Sequence, residues 1–205
     1  DTATYSPELR RSPQVAQLRS RLAPNGEVIV GYVGRLAPEK ELHRLAEIAD
    51  LPGISIALVG EGPSRDEIAA LLPRAHFLGR QEGVTLAHSY ASFDVFVHTG
   101  TKETFGQTLQ EAMASGLPVV APAAGGPLDI VKPGVTGLLF NPDASGSLRQ
   151  SIGTLVSDEA MRERMGASGA RKMAGRSWNG MTQRLLDYYA SVIAGSRARS
   201  VSRAA

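Results

Sequence analysis

Short apolar runs and segments of helical period alternate along the chain up to Pro142. Continuous runs of Val, Ile and Leu that alternate with helices are typical of a parallel sheet covered on both faces. We therefore predict an α/β fold with a Rossmann-like, doubly wound parallel sheet. Its predicted strands are Val28–Val33, Ile54–Val59, His76–Leu78, Val95–Val97, Pro118–Ala121 and Gly137–Phe140. The helices predicted between them are Glu39–Ala49, Ser64–Leu72, Val84–Ala91 and Gly106–Ala114.

Beyond Pro142 the strand-like runs stop, and the helical period predicts three extra C-terminal helices, Ser145–Val156, Glu159–Met173 and Trp178–Ile193. The last of these helices carries an apolar and aromatic stripe. Packing of this stripe on the domain's own sheet is the favoured interpretation, and contact with a second domain is the alternative. The stripe consists of Met181, Leu185, Tyr188, Tyr189 and Val192.

The two ends of the chain differ in composition from its middle. The first residue is Asp rather than Met, and residues 2–13 are mostly polar and include two prolines. This composition indicates an interdomain linker at residues 1–12, preceded in a longer protein by an N-terminal half. Residues 13–195 are predicted to form one compact domain, and residues 196–205 a disordered basic tail.

Charge and cysteine content exclude several classes of protein. The formal net charge is only +2, and the tail alone holds three arginines and no acid. A basic groove for nucleic acid is therefore not supported. The absence of cysteine rules out disulfides and thiolate metal sites and favours a reducing compartment, the cytoplasm. No apolar run approaches the roughly 18 to 20 residues of a membrane span, and the start lacks the pattern of a signal peptide.

Ligands of an open parallel sheet bind beyond the carboxyl ends of the strands, so the loops that follow strands are the first candidates for a site. The loop Gly34–Lys40 follows a strand and begins a helix. Gly34 allows the backbone to approach a ligand closely, and Arg35 and Lys40 add two cations to the unpaired amides of a helix start. Such a loop suits an anion, although two cations around a turn are also common on solvated surfaces.

The next two loops give weaker signals. Gly60–Pro63 lacks the third glycine of a dinucleotide fingerprint, because Arg65 takes its place, and the chain has no Gly-x-x-x-x-Gly-Lys phosphate loop. Nicotinamide or ATP-hydrolysing functions thereby lose their main support, and a tight turn into a helix that starts at Pro63 explains the segment equally well. After the third strand, the backbone around Gly79 and Arg80 can read a nucleobase.

The segment Thr99–Glu111 gives the strongest signal. Glu103 ends a loop and Glu111 follows eight residues later, so a helix that begins near Phe105 brings both acids toward one pocket. The amides of residues 105–107 would bind phosphate at the helix start. Because a carboxylate repels phosphate, the two acids are expected to accept hydrogen bonds from sugar or ribose hydroxyls. A helix cap and a solvated helix face are the alternative explanations.

The sequence offers no ligands for a divalent cation. It contains no Asp-x-Asp pair, and its four histidines show no ligand spacing. We therefore expect no metal cofactor, so that Arg35, Lys40 and helix amides must meet the phosphate charge. The histidines are His43, His76, His88 and His98.

Together these residues resemble glycosyltransferase family 4, retaining enzymes with two facing Rossmann-like domains, of which the C-terminal one binds the sugar nucleotide. The resemblance covers nearly the whole chain, and the motifs in this order are highly specific although each alone is not. The motifs are Gly34-Arg35-Leu36 with Glu39-Lys40, Gly60-Glu61-Gly62-Pro63, Glu103-Thr104-Phe105-Gly106 with the spacing to Glu111, and Ala114-Ser115-Gly116-Leu117-Pro118-Val119-Val120-Ala121.

The resemblance implies roles for individual residues of a nucleotide-sugar-binding domain at 13–195. Arg35 and Lys40 would hold the donor diphosphate, Glu103 would contact the transferred sugar, and these three form the implied catalytic set. Glu111 would take the ribose hydroxyls. The other implied substrate-binding residues are Gly34, Gly79 and Arg80, the last two beside the base, with Thr104, Phe105, Gly106, Gln107 and Thr108 around the phosphates and the sugar.

Within the family, the strings Gly-Arg-Leu-Ala-Pro-Glu-Lys and Ala-Gly-Gly-Pro look most like actinobacterial α-mannosyltransferases that use GDP-mannose on lipid-linked acceptors. This likeness implies a GDP-mannose donor, a lipid-linked or glycolipid acceptor, and a place in the cytoplasm or at the inner face of the membrane. The implied N-terminal acceptor domain is absent from these 205 residues, so we expect weak GDP binding and no sugar transfer by this chain. A non-catalytic nucleotide-sugar-binding domain and a sugar-nucleotide epimerase are the alternatives.

Overall fold

A computed structural model describes residues 4–174, 180, 182–183 and 185–193. The strands of this part are β1 (Val28–Val33), β2 (Ile54–Val59), β3 (His76–Phe77), β4 (Val95–Val97), β5 (Val119–Pro122) and β6 (Gly137–Phe140). The α-helices of residues 4–174 are α1 (Pro13–Leu22), α2 (Arg65–Leu71), α3 (Gly83–Ser92), α4 (Gln107–Ala114), α5 (Pro127–Ile130), α6 (Ser147–Ser157) and α7 (Glu159–Ala174).

The strands form one parallel sheet in the order β3-β2-β1-β4-β5-β6. The chain starts in the middle of the sheet at β1, winds through β2 to one edge at β3, and then returns to build β4 to β6 on the other side. The carboxyl ends of β1 and β4 therefore flank the switch point at which doubly wound folds bind ligands. The predicted Rossmann-like α/β fold is confirmed.

Both faces of the sheet are buried. Alternate side chains of a strand point to opposite faces, so Ile29 and Val33 of β1 enter one apolar cluster and Val30 and Tyr32 enter the other. This two-sided burial explains why the strands stand out in the sequence as uninterrupted apolar runs. Each predicted strand limit lies within one residue of the limit in the structure.

The predicted helix Glu39–Ala49 is wrong. The structure has two 3-10 segments there, Pro38–Lys40 and Leu42–Ile48. Glu41 separates them with a φ of 50°, in the left-handed region that an α-helix of L-residues cannot contain. The Glu41 carboxylate accepts a hydrogen bond from the Thr101 hydroxyl, which holds the chain in this turn.

The sequence pattern also misses a 3-10 turn at Pro7–Arg11 and the helices α1 and α5. Start signals for α1 are present, because the Ser12 hydroxyl accepts a hydrogen bond from the Val15 amide and Pro13 takes the first helical position. The helix buries only Val15 and Leu22. Two buried residues in ten positions leave too weak a periodic pattern to reveal the helix.

Residues 4–12, the described part of the predicted linker, pack against the domain. Asp94, which directly precedes β4, accepts hydrogen bonds from Arg10, from Arg19 and from the Ile29 amide at 2.8 Å. The Asp94 side chain is only 9% exposed. One nearly buried carboxylate thus ties the N-terminal segment and α1 to the start of the sheet.

Replacing Asp94 with alanine is expected to lower the free energy of unfolding by about 3–5 kcal/mol. The change leaves Arg10 and Arg19 without their shared carboxylate and the Ile29 amide without its acceptor. Urea denaturation followed by circular dichroism measures the effect. Asp66→Ala is the matched control, because the Asp66 side chain is 98% exposed and such a pair contributes under about 1 kcal/mol. Equal losses in the two variants would contradict this account.

The apolar stripe of the last helix does not pack on the sheet of its own domain, so the favoured interpretation is wrong. Residues 185–193 are helical, and Leu185, Tyr188, Tyr189 and Val192 are each more than half exposed. The sheet has no free face for them, because α-helices and 3-10 segments of residues 5–174 already supply the apolar residues that cover both sides. Contact of the stripe with a second domain stays a prediction.

Several predictions fall on residues outside the described part of the chain. These are the basic tail at residues 196–205 and, within the stripe helix, Trp178 and Met181. In the described residues, every helix is too short or too polar to span a lipid bilayer.

Candidate functional site

A cavity of about 260 Å³ opens at the carboxyl ends of β1 and β4, the switch point of the sheet. It brings together residues of the first and fourth loops that the sequence singled out. Six predicted site residues line it, namely Gly34, Arg35, Lys40, Glu103, Gln107 and Thr108, together with Tyr32, Val33 and His98.

A larger cavity of about 530 Å³ lies at the opposite edge, beside the amino ends of β1, β2 and β3. Two of its charged residues are engaged in structural contacts: Arg74 donates to the Ala49 carbonyl and Asp50 pairs with Arg149. Doubly wound sheets bind their ligands at the other edge. The smaller cavity is therefore the candidate site.

Lys40 and Glu103 form the ionic centre of the candidate site. Lys40 Nζ lies 3.0 Å from Glu103 Oε2, and the Gly106 amide donates to Glu103 Oε1 at 2.9 Å. Burial alone would raise the pKa of Glu103, but the Gly106 amide and the Lys40 ammonium hold that pKa below its ordinary value. Glu103 is thus an ionised, oriented acceptor, and Lys40 has ammonium hydrogens left for an anion.

His98 lies beneath this pair as a neutral ring. It is 1% exposed, and burial chiefly lowers its pKa, with the nearby Lys40 charge acting in the same direction. Its Nε2 lies 3.1 Å from the Gly100 carbonyl, which assigns the proton to Nε2. The 3.8 Å separation between Nε2 and Glu103 Oε2 is therefore not an ion pair. His98 Nδ1 is buried without a hydrogen-bond partner among the described residues.

Arg35 stands at the mouth of the cavity with its charge accessible. Its side chain is 67% exposed, and its closest acid, Glu39, is 3.8 Å away and half exposed. An exposed pair at this distance holds the guanidinium weakly. The backbone of Arg35 is fixed, because the Tyr32 hydroxyl donates to its carbonyl at 3.1 Å. The loop is therefore rigid while its cationic end is available.

The second loop, Gly60–Pro63, is hydrogen-bonded to the first loop, Gly34–Lys40. The Gly34 amide donates to the Val59 carbonyl at 3.0 Å, and the Leu36 amide donates to the Glu61 carbonyl at 2.9 Å. A Cβ at Gly60 would lie 1.9 Å from the Gly34 oxygen, so only glycine permits this approach. The segment is a turn that shapes the Arg35 loop, and the helix after it begins at Arg65.

Gly79 and Arg80 do not line the cavity, although they lie at the same edge of the sheet. The Gly60 amide donates to the Gly79 carbonyl at 2.8 Å, which joins the second and third loops. Arg80 is 76% exposed and pairs with Glu82. Base reading by this segment stays a prediction.

The start of α4 differs in one respect from the prediction. The helix begins at Gln107, with Gly106 before it at a φ of 60°. The Gly106 amide donates to Glu103, so the expectation that it is free for phosphate is wrong. Thr104 and Phe105 lie on the exposed side of this turn, and the Phe105 ring is half exposed. Gln107 and Thr108 face the cavity.

Glu111 lies outside the lining of the cavity but is connected to it. Its Oε1 accepts a hydrogen bond from Gln107 Nε2 at 2.9 Å, and Gln107 lines the cavity. Its Oε2 accepts a hydrogen bond from the Tyr90 hydroxyl at 3.0 Å. A solvated helix face does not explain these contacts. Gln107 therefore links Glu111 to the cavity that Glu103 lines.

Sequence reasoning misses the tyrosines around this site, Tyr5, Tyr32 and Tyr90, and it considers His98 only as a metal ligand. A signal was available, because a tyrosine in a buried strand or helix must find a partner for its hydroxyl. Tyr32 lies within a strand-length apolar run that ends at the Arg35 loop. The partners themselves cannot be read from the sequence, since Tyr90 and Glu111 are 21 residues apart.

Stability should depend on pH through Glu41 and Glu103. Hydrogen bonds from Thr101 and Gly106, among others, outweigh burial and lower the pKa of both acids below the ordinary 4.5. An acid whose pKa is lower in the folded state stabilises the folded protein at a pH above its ordinary pKa. This stabilisation is lost as the pH falls through the lower, folded-state pKa. We expect the free energy of unfolding to decline below about pH 4.5, as urea denaturation between about pH 7 and about pH 3 would measure.

Glu41→Gln should reduce the loss of unfolding free energy at acid pH by about 1 kcal/mol, because it removes one of the carboxylates whose pKa the folded state lowers. Glu67→Gln is the matched control, since Glu67 is exposed on α2. The interpretation is wrong if both variants follow the wild-type curve.

Curated proteins of known activity resemble this chain over most of its length. It is 45% identical over 177 residues to a GDP-mannose-dependent α-mannosyltransferase of Mycolicibacterium smegmatis, which covers 86% of this chain and 46% of the relative. It is 41% identical over 206 residues to the protein of that name from Mycobacterium tuberculosis, covering 100% of this chain and 52% of the relative. The chain thus spans about half the length of the curated relatives it matches.

Solved structures share the fold. Anabaena HepE in complex with UDP and glucose matches with a TM-score of 0.75 at 30% identity, covering 91% of this chain and 55% of that one. Sucrose-phosphate synthase from Thermosynechococcus elongatus matches with a TM-score of 0.79 at 28% identity, covering 94% and 52%.

The family model described as glycosyl transferases group 1 matches residues 15–172. This range contains β1 to β6 and every residue that lines the candidate cavity. The family match confirms the resemblance that the motifs indicated. The two relatives confirm the likeness to GDP-mannose-dependent α-mannosyltransferases. The chain therefore belongs to the group 1 glycosyl transferases.

Proposed function

We propose that this chain is the donor-binding half of a retaining glycosyltransferase that moves mannose from GDP-mannose to a lipid-linked or glycolipid acceptor. Its similarity to two GDP-mannose-dependent α-mannosyltransferases supports the nucleotide and the sugar. An N-terminal acceptor domain, in a longer protein of the relatives' length, would supply the acceptor site. The lipid nature of the acceptor is proposed from the sequence resemblance.

One observation carries the proposal: Lys40 contacts Glu103 at 3.0 Å in a cavity that Arg35 also lines. A diphosphate needs cations, and a sugar needs acceptors for its hydroxyls. This cavity presents both, side by side, at the edge where a doubly wound sheet binds ligands. The same arrangement does not suit an anion without hydroxyl groups, because Glu103 would repel it. It does not suit an uncharged sugar either, because such a ligand does not neutralise the charge of Arg35.

In the proposed reaction, the bond between the anomeric carbon and the β-phosphate oxygen breaks while Arg35 and Lys40 neutralise the charge that develops on that oxygen. The acceptor hydroxyl oxygen bonds to the anomeric carbon from the same face of the sugar, which retains the configuration, and its proton passes to the departing phosphate oxygen. Glu103 holds a sugar hydroxyl and so fixes the reacting carbon against the cations. Positioning and charge neutralisation are the contributions of this chain.

Metal-independent binding is part of the proposal. Within residues 4–174 and the described part of the last helix, no three His, Cys, Asp or Glu side chains come together as a metal site requires. Arg35 and Lys40 would neutralise the diphosphate charge in place of a metal ion. GDP binding should therefore be the same in the presence of a chelator and of magnesium.

Titration calorimetry of this chain with GDP, UDP, ADP and their mannose and glucose conjugates tests the donor. We expect weak binding with GDP and GDP-mannose as the tightest ligands, and no mannosyl transfer by this chain in a turnover assay with lipid extract. Tighter binding of a uridine or adenine nucleotide would overturn the assignment of the base. Absence of binding by the whole panel would overturn the donor site, and turnover by this chain would show that the acceptor site does not require a second domain.

A further inference from the structure

Side chains from two helices hold the carboxylate of Glu111. Tyr90 of α3 donates its hydroxyl to Oε2 at 3.0 Å, and Gln107, one turn earlier on α4, donates to Oε1 at 2.9 Å. Tyr5, from the segment before α1, packs its ring against the ring of Tyr90. A carboxylate that only solubilises a helix face needs no such set of donors.

The position of Tyr5 is set by packing on the two helices that carry Tyr90 and Glu111. The Tyr5 ring meets the Tyr90 ring edge to face, with centroids 5.4 Å apart and planes at 87°, a favourable arrangement for aromatic pairs. Two residues later, Pro7 lies against the end of α4, where a Cβ at Gly116 would be 3.0 Å from Pro7 Cγ. Tyr5 therefore packs from a fixed position against Tyr90, the residue that donates to Glu111.

The Tyr90 hydroxyl keeps its proton at neutral pH. Burial, followed by the charge of Glu111 and the hydrogen bond to it, raises the pKa of Tyr90 well above 10. Burial likewise raises the pKa of Tyr5 to about 12. The protonated Tyr90 hydroxyl therefore donates to the Glu111 carboxylate and cannot accept from it.

We propose that Tyr90, held in place by the ring of Tyr5, is a positioning residue that orients the Glu111 carboxylate to accept hydrogen bonds from the ribose hydroxyls of the donor nucleotide. This inference rests on the proposed function and on the ribose-binding role that the family resemblance implies for Glu111. A carboxylate offers about four acceptor sites, and the protein donors fix its plane while leaving part of that capacity for a ligand. Because the group is oriented before binding, the nucleotide does not have to immobilise it.

Titration calorimetry with GDP and with 2′,3′-dideoxy-GDP tests this inference, because only GDP carries the ribose hydroxyls. The wild-type chain should prefer GDP. Tyr90→Phe should weaken GDP binding by about fivefold to tenfold and leave binding of the dideoxy nucleotide unchanged. Tyr5→Phe keeps the ring that packs on Tyr90, so it should bind both nucleotides as the wild type does. In a Glu111→Ala background, Tyr90→Phe should have no further effect, because the group it orients is gone.

Tyr188→Phe is the matched control, since Tyr188 is 65% exposed on the last helix, and it should bind both nucleotides as the wild type does. Urea denaturation of every variant separates binding from stability. The inference is overturned, with the proposed function intact, if Tyr90→Phe keeps the wild-type preference for GDP or weakens binding of both nucleotides equally. Failure of the wild-type chain to bind GDP, or equal affinity for both nucleotides, would overturn the proposed donor site as well.

Discussion

Replacing Lys40 with alanine should lower the affinity of this chain for GDP about a hundredfold or more. A hydrogen bond between charged groups contributes about 1.5–3 kcal/mol, which is roughly ten- to hundredfold in affinity. The change also leaves Glu103 without the cation that lies 3.0 Å from its carboxylate, so an unpaired negative charge then faces the diphosphate. In the complete enzyme the same substitution should abolish most sugar transfer while the fold stays intact.

Two further variants separate these contributions in titration calorimetry. Lys40→Ala combined with Glu103→Gln should recover part of the GDP affinity, because the repelling carboxylate is removed as well. Lys102→Ala is the matched control, since Lys102 is an exposed lysine of the same loop that does not line the cavity. It should bind GDP as the wild type does. Near-normal GDP binding by Lys40→Ala would remove Lys40 from the donor site.

Arg35→Ala should weaken GDP binding less in this chain, by about tenfold, because the guanidinium is 67% exposed and solvent screens its charge. In the complete enzyme, where Arg35 is assigned to the departing phosphate, transfer should fall much more than binding. A loss of binding as large as the loss of transfer would contradict that assignment.

The sheet could be predicted from the sequence because its physical cause is local. A strand buried on both faces must be apolar at every position, and β1, β2, β4 and β6 have the limits that their apolar runs predict. The helices were harder. A helix over 39–49 fails at Glu41, whose left-handed turn depends on Thr101, 60 residues away.

The site was predictable to the extent that loops after parallel strands meet at one edge of the sheet. That rule predicts that Arg35, Lys40 and Glu103 lie close together, and they line one cavity. It could not show that the Gly106 amide is already engaged, because a helix start in isolation offers all of its first amides. It also could not place Tyr5, whose ring packs against Tyr90 from a distant part of the chain.

Replacing Gly60 with alanine should lower the free energy of unfolding by about 2–4 kcal/mol, and the folded protein should bind GDP at least about tenfold more weakly. The φ of Gly60 is 134°, which L side chains rarely adopt, and the new Cβ would lie 1.9 Å from the Gly34 oxygen. A backbone atom cannot rotate away as a side chain can. The loop that carries Arg35 must therefore move, although Gly60 itself does not line the cavity.

Alanine variants of two other glycines distinguish backbone strain and helix propensity from displacement of the Arg35 loop. Gly26 has a φ of 81° with nothing within 4 Å of a new Cβ, so Gly26→Ala should cost only about 1–2 kcal/mol of backbone strain and leave GDP binding unchanged. Gly153 lies inside α6 in open space, so Gly153→Ala should stabilise the protein by about 0.5–1 kcal/mol. Urea denaturation and calorimetry give both quantities for each variant. If folded Gly60→Ala binds GDP as tightly as Gly26→Ala does, the loop at Gly60 does not determine the shape of the Arg35 loop. The contact between Gly60 and Gly34 would then contribute to stability alone.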